Sequence, residues 1–432
     1  MQSTLTHLMD QRFVSWMESR FETGCTRSAP PADFPSLPPI PGGRYTDPAF
    51  LALEQSRLWR RSWLYACHLD ELPQPGSYIR WNHTGSPIVV VRGADNGVRA
   101  FYNICRHRGA PLVTEDRGLL RDGFVCPYHG WSYGLDGQLQ AVRDPRDFAE
   151  LQTDRVSLGS VRCERFGNWV FLNEDREAEP LLASMGPIAS HWRQIDPERL
   201  RHVESLGFDV ECNVKLMLEA FLEVYHLNSV HKDTAGRFLD HRATQIVLWK
   251  NGHSVMVTPN RSRDWVDPGT VGMPSIPGIG RFPLENNLSY NLFPNLITPI
   301  APTGIPFLTF WPTSARTTRV DCHWFAPDWG EGERHPLWGR RIENFNSILG
   351  EDIELLPRIQ QSVESPAFAG ARLGYQERRI YHWHEELDRR IDPSVAAPDL
   401  RLEPRLSDFV EQTAAASETH ATQPLPQASI TS

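Results

Sequence analysis

Two short segments of the sequence each place one cysteine and one histidine close together. The first reads Cys105-x-His107 and the second reads Cys126-x-x-His129, with 18 residues between them. Structural zinc sites more often pair like with like, taking two cysteines from one loop and two histidines from the other. One cysteine and one histidine in each arm instead suit a site with two metal ions, one held by both cysteines and the other by both histidines.

A [2Fe–2S] cluster of the Rieske type has this ligand set, because one iron takes two cysteines and the other takes two histidines. The sequence therefore predicts that Cys105, His107, Cys126 and His129 bind such a cluster. Two alternatives remain open from the residues alone. The four side chains also suit a mononuclear zinc site, or the cysteines could be buried free thiols beside unrelated surface histidines.

Glycines and prolines flank both arms and favour tight loops over a cluster. They are Gly109 and Pro111 after the first arm, and Pro127 and Gly130 around the second. Glycine permits a close backbone approach and proline keeps the loop rigid. With its Cys-Arg-His-Arg-Gly and Cys-Pro-Tyr-His-Gly-Trp motifs, the segment resembles the Rieske domain of the ring-hydroxylating non-haem iron oxygenases. The spacer is slightly longer than is usual there, which places a small insertion near residues 117–121.

A second set of possible metal ligands lies within residues 213–231. Apolar residues recur there at helical spacing, namely Val214, Met217, Leu218, Phe221, Leu222 and Tyr225. We therefore expect a helix whose opposite face presents Glu219, Glu223 and His226. His231 follows five positions after His226, so both imidazoles can bind one ion only if the helix loosens between them. Taken alone, the pattern also fits a surface helix with two solvated histidines.

The end of this segment, Glu-x-Tyr-His followed by a second histidine, resembles the iron motif of the same oxygenase family. The resemblance implies that His226 and His231 bind a mononuclear iron(II). The family takes its third ligand from an acidic helix downstream, which implies Asp352 here, with Glu351 as the alternative. A simpler local interpretation is that Gly350 ends one helix and the acidic residues begin the next. Two histidines and one carboxylate form the usual iron(II) site for activating O₂.

Many relatives have an aspartate at the position of Glu223. A glutamate at this position resembles the carnitine- and choline-type oxygenases. The resemblance implies a head-to-tail homotrimer, with or without a small β subunit, in which Glu223 links His226 to His129 of the partner subunit. Ala220 replaces an asparagine that is common in the family. The glutamate favours monooxygenation or oxidative demethylation over arene cis-dihydroxylation, a reaction of aromatic hydrocarbon catabolism.

Composition limits the size, the partners and the compartment. At 432 residues with 40% hydrophobic residues, the chain is long enough for two domains. A net charge of −9 without basic runs argues against nucleic acid or an anionic membrane as partner. Seven cysteines without a disulfide-like pattern favour a reducing compartment, which we take to be the cytoplasm. The uncharged stretch 286–315 contains five prolines, so we expect buried strands there and no membrane helix.

Around the cysteine–histidine arms the sequence indicates an antiparallel β domain, residues 45–175. Its strands are indicated at 78–81, 87–92, 98–102 and 167–172, with a hairpin turn at 134–137. Residues 1–44 comprise an amphipathic helix, Met1 to Phe21, and a proline-rich linker.

Residues 176–402 form the larger, catalytic domain. Helical patterns at 181–192 and from Val210, with strands at 245–258 and 288–319, indicate a mixed α/β domain whose antiparallel sheet is covered by helices. The whole chain is therefore predicted to be α+β. Residues 403–432 are too polar to bury enough surface, and we expect a disordered tail.

Together these features predict the terminal component of a multicomponent Rieske oxygenase that acts on O₂ and a small organic substrate. No G-x-G-x-x-G or other nucleotide-binding loop is present, so NAD(P)H must be oxidised by a separate ferredoxin or flavin reductase. An arene cis-dihydroxylating dioxygenase is the first alternative. The second is an electron-transfer protein in which only the cluster functions.

Overall fold

The chain begins with two helices that flank a proline-rich segment. The computed structural model describes residues 11–411. Helix α1 spans Gln11–Thr26 and helix α2 spans Pro48–Arg57. Helix α1 extends the predicted N-terminal helix beyond Phe21, while residues 1–10 lie outside the described residues. The proline-rich segment between the helices is packed on the body, because Ile40 is fully buried and its backbone pairs with Ala371.

A seven-stranded sheet and a three-stranded sheet form the part of the chain that carries the cysteine–histidine arms. The strands are β1 (Leu64–His68), β2 (Ser77–Trp81), β3 (Ile88–Arg92), β4 (Val98–Tyr102), β5 (Arg117–Leu119), β6 (Phe124–Val125), β7 (Ser132–Tyr133), β8 (Leu139–Ala141), β9 (Ser160–Phe166) and β10 (Trp169–Asn173). The large sheet has the order β1-β10-β9-β4-β3-β2-β5, the small one β6-β7-β8, and all pairs are antiparallel. This confirms the predicted antiparallel β unit, whose bounds stay a prediction.

An eight-stranded sheet forms the core of the larger part of the structure. Its strands are β11 (Leu200–Val210), β12 (Gln245–Trp249), β13 (Ser254–Pro259), β14 (Asn286–Leu292), β15 (Leu296–Ile300), β16 (Ile305–Ser314), β17 (Thr317–Pro327) and β18 (Val410–Glu411). Their order is β11-β17-β16-β15-β14-β13-β12-β18. Neighbours are antiparallel except β12 and β18, which run parallel. The uncharged, proline-containing stretch forms the buried strands β14 to β16, as predicted.

Helices cover this sheet. They are α3 (Leu181–Met185), α4 (Pro187–Arg193), α5 (Val214–Glu219), α6 (Phe282–Glu285), α7 (Trp338–Val363) and α8 (Arg378–Ile391). Helix α7 packs against α5 and β11, and α8 packs against β12. The α+β fold class is confirmed. None of the helices between residues 11 and 411 combines the length and the apolar character needed to cross a lipid bilayer.

The segment after residue 402 differs from the prediction of a disordered tail. Leu406 is fully buried, Glu385 accepts hydrogen bonds from the backbone of Arg405 and Leu406, and Val410 pairs with Leu248. Residues 403–411 are therefore held against α8 and strand β12, through backbone hydrogen bonds and one buried leucine that composition alone does not reveal. The remaining part of the predicted tail, residues 412–432, lies outside the described residues.

Candidate metal centres

Both cysteine–histidine arms adopt the same backbone loop. In the first arm, Cys105 N donates to Ala110 O at 2.8 Å and Gly109 N donates to Cys105 O at 2.9 Å. In the second, Cys126 N donates to Trp131 O at 2.8 Å and Gly130 N donates to Cys126 O at 3.0 Å. Both glycines have positive φ, +76° and +71°, which explains why a glycine follows each histidine-bearing turn.

The two loops bring the four predicted cluster ligands together. Cys105 and Cys126 are buried free thiols, and the ring centroids of His107 and His129 lie 4.6 Å apart. The Nδ1 atoms of both imidazoles are buried, and no protein group within residues 11–411 hydrogen-bonds to them. Buried nitrogens without partners are costly, so a group that both Nδ1 atoms can bind would offset that cost. Two thiols and two such nitrogens fit a Rieske [2Fe–2S] cluster.

Two aromatic residues lie beside the arms; Tyr133 was missed by the sequence analysis, whereas Trp131 ends the recognised Cys-Pro-Tyr-His-Gly-Trp motif but was assigned no contact there. The Tyr133 hydroxyl lies 3.3 Å from Cys105 Sγ and accepts a hydrogen bond from Arg106 N at 3.0 Å, so its own proton is free to be donated to the sulfur. Trp131 stacks on His107 with centroids 4.8 Å apart and planes inclined by 7°. Both follow the second arm within a few residues, and their spacing from Cys126 was the only available signal.

The second candidate centre lies just after a helix that ends earlier than predicted. Helix α5 ends at Glu219, and a short 3₁₀ turn, Tyr225–Asn228, carries His226. The prediction that Glu223 and His226 share one face of a continuous helix is therefore wrong. His231 N still donates to Leu227 O at 3.1 Å, which curls the segment so that the two histidine rings meet with centroids 5.0 Å apart.

Helix α7 supplies the carboxylate. It runs without interruption from Trp338 to Val363, so the interpretation in which Gly350 separates two helices is wrong. His226, His231 and Asp352 place one ligand atom each within 4.8 Å of one another. Asp352 Oδ1 lies 3.6 Å from His226 Nε2 and 3.2 Å from His231 Nε2. The site therefore presents two Nε2 atoms and one carboxylate oxygen to a common point.

The other nitrogen of each imidazole is held by a second carboxylate. His226 Nδ1 contacts Glu223 Oε1, and His231 Nδ1 lies 2.6 Å from Glu351 Oε2. Thr234 Oγ1 also donates to Glu351 at 2.9 Å. An acceptor on Nδ1 fixes the tautomer with Nε2 free for a metal, which is how metal-binding histidines are usually oriented. The donor set fits mononuclear iron(II).

Electrostatics explain why this group of side chains suits a cation. Burial lowers the pKa of His226 and of His231, but the hydrogen bonds and charges of the surrounding carboxylates outweigh burial and raise both pKa values. Asp352 acts on both rings, Glu223 on His226 and Glu351 on His231. The site therefore carries an excess of negative charge in a half-buried pocket, and a bound divalent ion would neutralise that charge.

Comparisons with known proteins agree with both centres. Residues 62–157 match the Rieske [2Fe-2S] domain, and residues 197–393 match the ring hydroxylating alpha subunit (catalytic domain). The two matched regions cover more than half of the chain. The chain belongs to the Rieske non-haem iron oxygenases. Their two domains bind a [2Fe–2S] cluster and a mononuclear iron.

Within the Rieske oxygenases, the chain resembles both monooxygenases and dioxygenases. It is 31% identical over 194 residues to the carnitine monooxygenase oxygenase subunit of Escherichia coli K12. That alignment covers 44% of this chain and 52% of the relative. It is 36% identical over 189 residues to the large oxygenase component of the naphthalene 1,2-dioxygenase system of Pseudomonas putida, covering 41% of each. The matches thus span about half the length of the curated relatives.

Solved structures show the same fold over a longer stretch. The structure of the quaternary ammonium Rieske monooxygenase CntA with L-carnitine superimposes with a TM-score of 0.69 at 22% identity. The superposition covers 84% of this chain and 100% of CntA. At this level of identity the similarity shows the fold alone, and it extends over both the Rieske and the catalytic regions matched above.

Proposed function

We propose that this protein is the terminal oxygenase component of a multicomponent Rieske oxygenase. One observation carries the proposal: a chain with two cysteine–histidine arms also brings His226, His231 and Asp352 within 4.8 Å of one another. A one-electron carrier and an iron(II) site for O₂ are the two parts that such an enzyme requires. When bound, the two metal groups supply the electrons and the activation of O₂ for oxygen insertion into an organic substrate.

The ligand roles in the cluster follow from the atoms that the loops leave available. Cys105 and Cys126 would hold one iron through their thiolates, and His107 and His129 the other through their Nδ1 atoms. The two loops share one hydrogen-bond pattern, so they would present these ligands as a matched pair. Tyr133 would donate a hydrogen bond to the Cys105 sulfur.

At the iron site, the hydrogen-bond partners of the two imidazoles support Asp352 rather than Glu351 as the carboxylate ligand. His226 and His231 would bind through Nε2 and Asp352 through its carboxylate. Glu351 already accepts a hydrogen bond from His231 Nδ1, so its role would be to orient that ring. Glu223 would do the same for His226 and hold the Nδ1 proton there.

The relatives favour oxidation of a small substrate next to nitrogen. One relative is named a carnitine monooxygenase oxygenase subunit, another a glycine betaine monooxygenase oxygenase subunit. Together with Glu223 in the position of the usual aspartate, this supports hydroxylation or oxidative demethylation. The similarity to the naphthalene dioxygenase component keeps arene cis-dihydroxylation as the second candidate.

The electron source would be a separate protein in the same compartment, which we take to be the cytoplasm. A ferredoxin or flavin reductase would oxidise NAD(P)H and pass electrons to the cluster. We expect the metal-loaded chain, mixed with a surrogate reductase, to consume O₂ in an NADH-dependent manner that carnitine-like or aromatic test substrates stimulate. If iron analysis gave two irons per chain and no compound stimulated O₂ uptake, the electron-transfer alternative would replace the oxygenase.

We further propose that the functional unit is a head-to-tail homotrimer in which the cluster of one subunit serves the iron of the next. Exposed apolar side chains beside both centres support an interface there. Tyr225, next to His226, is 68% exposed, while Val125 and Tyr128 in the second arm are 61% and 56% exposed. Glu223 would then join His226 to His129 of the partner subunit, and Glu223→Ala, when loaded at saturating iron(II), should hold both metals but lose turnover.

Mixing two inactive variants tests this arrangement. His129→Ala damages only the cluster and His226→Ala only the iron site. In a directional ring of three subunits, every mixed trimer contains at least one junction where an intact cluster faces an intact iron. Co-expression should therefore restore part of the activity that each variant lacks alone. Inactive mixed trimers, verified by mass spectrometry and each retaining its other metal, would rule out transfer between subunits.

A further inference from the structure

A buried cluster of charged and polar side chains lies beneath the end of α5, outside both metal centres. We call it the α5 cluster, and it consists of Arg44, Tyr45, Glu54, Lys215, Glu219, His384 and Asp388. All but one of these residues are buried, with at most 6% exposure, and the side chain of Glu219 is 12% exposed. Charges so far from water must be paired or neutralised.

Two ion pairs within the α5 cluster are complete. Lys215 Nζ lies 2.7 and 3.0 Å from the two oxygens of Glu54, and Arg44 Nη2 lies 2.7 Å from Asp388 Oδ1. These pairs use two positive and two negative charges. Glu219 is left over, since no lysine or arginine among residues 11–411 forms an ion pair with it.

The two groups that touch Glu219 are neutral. His384 Nε2 lies 2.8 Å from Oε1, and the Tyr45 hydroxyl lies 3.2 Å from Oε2. Arg44 Nε donates to His384 Nδ1 at 3.2 Å, and because arginine can only donate, the proton of His384 must be on Nε2. Burial and then the charge of Arg44 lower the pKa of His384 well below its ordinary value, so this imidazole brings no charge to Glu219.

A further carboxylate adds to the excess of negative charge. Glu377, which precedes α8, accepts a hydrogen bond from Gly374 N at 2.7 Å, and its charge raises the pKa of Glu219. Burial is the larger influence and raises the pKa of Glu219 to about 8, although Tyr45, Lys215 and Arg44 each lower it. A protonated Glu219 can donate to the Tyr45 oxygen and still accept from His384, because the tyrosine hydroxyl rotates freely.

We propose that Glu219 is a positioning residue that holds a proton at neutral pH, keeps the α5 cluster uncharged overall and thereby fixes the end of α5 from which the iron-binding segment begins. Glu219 is the last residue of α5, and Glu223 and His226 follow four and seven positions later. Ionisation breaks the O–H bond of the carboxylic acid and releases the proton to solvent. The released proton leaves one uncompensated negative charge in the cluster, which displaces the helix end and loosens the iron site.

The first test needs neither metal nor substrate. In the metal-free full-length chain, infrared or ¹³C NMR titration should reveal one carboxyl group with half-titration at about pH 8. Glu219→Gln should remove that group. Glu285→Gln is the matched control, because Glu285 is a similarly buried glutamate that is paired with Arg281. Loss of the signal in the control and not in Glu219→Gln would overturn the proposal.

A second variant keeps the test decisive if Glu219→Gln does not fold. The Tyr45 hydroxyl favours the ionised form, so Tyr45→Phe should raise the half-titration pH by about half a unit to one unit. An unchanged or lower value would contradict the geometry.

The link to the iron site rests on the proposed function and has its own readout. Iron retention by the loaded chain should fall as the pH rises past about 8, and Glu219→Gln should abolish that fall because glutamine mimics the protonated acid. The same alkaline loss in Glu219→Gln would overturn the positioning role. Absence of oxygenation with any substrate would count against the proposed function alone, since titration and iron retention are measured without substrate or reductase.

Discussion

Glu351 offers the sharpest test of how the iron site is built. Its Oε2 lies 2.6 Å from His231 Nδ1, a distance typical of a charge-assisted hydrogen bond. In Glu351→Gln the oxygen can still accept from Nδ1, but the negative charge is lost. Outer carboxylates of this kind typically contribute 10- to 100-fold to metal affinity, so we expect a loss of about 1.4–2.7 kcal/mol of binding free energy.

The assay is competition for iron(II) between the protein and a chromophoric chelator, with the visible spectrum of the cluster as an internal reference for protein concentration. Glu354→Gln is the matched control, since Glu354 lies on the same helix and is exposed. Equal affinities of the two variants would refute the orienting role of Glu351. A higher iron affinity of Asp352→Ala than of Glu351→Ala would refute the assignment of Asp352 and make Glu351 the ligand.

Three further predictions concern the cluster, the iron and the core. Asp352→Ala should abolish product formation while the cluster remains reducible, as measured by turnover and by the reduced-cluster EPR signal. Tyr133→Phe should lower the reduction potential of the cluster by roughly 40 mV in a redox titration, because one hydrogen bond to sulfur of about 1 kcal/mol is lost. Lys215→Met should lower the free energy of unfolding by about 3–5 kcal/mol because it leaves Glu54 buried and unpaired, whereas the double variant with Glu54→Met should be close to the wild type in urea denaturation.

The cluster ligands could be predicted from the sequence because each loop is formed by contacts between residues close together in the chain. Within six residues each arm supplies two ligands, the positive-φ glycine and the closing hydrogen bond, so Cys105 to Ala110 and Cys126 to Trp131 specify their own geometry. The antiparallel strands around them were predictable for the same reason. Alternating or apolar runs such as Ile88–Arg92 end at glycine turns and pair with their neighbours in the chain.

The iron site could be predicted only in part, because it depends on contacts between elements that are far apart in the sequence. His226 and His231 were recognisable by resemblance, but helical periodicity suggested a helix well beyond Glu219, where the structure has turns. The long strand β11 was missed because only its second half, where Leu206, Phe208 and Val210 alternate with more exposed residues, has the strand pattern, whereas residues 200–205 do not. The alternative interpretation of Gly350 as a helix end fails because packing of α7 on α5 and β11 outweighs the low helix propensity of one glycine.

The same distant contacts explain how α7 brings Asp352 to the histidines. At the start of α5, Asn213 N donates to Gln360 Oε1 of α7 at 2.7 Å, and Gln360 is only 2% exposed. Two helical turns separate Gln360 from Asp352 on the same buried face. At its other end, α5 is held through Glu219 by the α5 cluster. A six-residue helix is too short to be stable alone, so its position, and with it the distance between the histidine segment and α7, is set by these two buried anchors. The iron geometry should therefore respond to substitutions at either anchor even though neither of them touches a ligand.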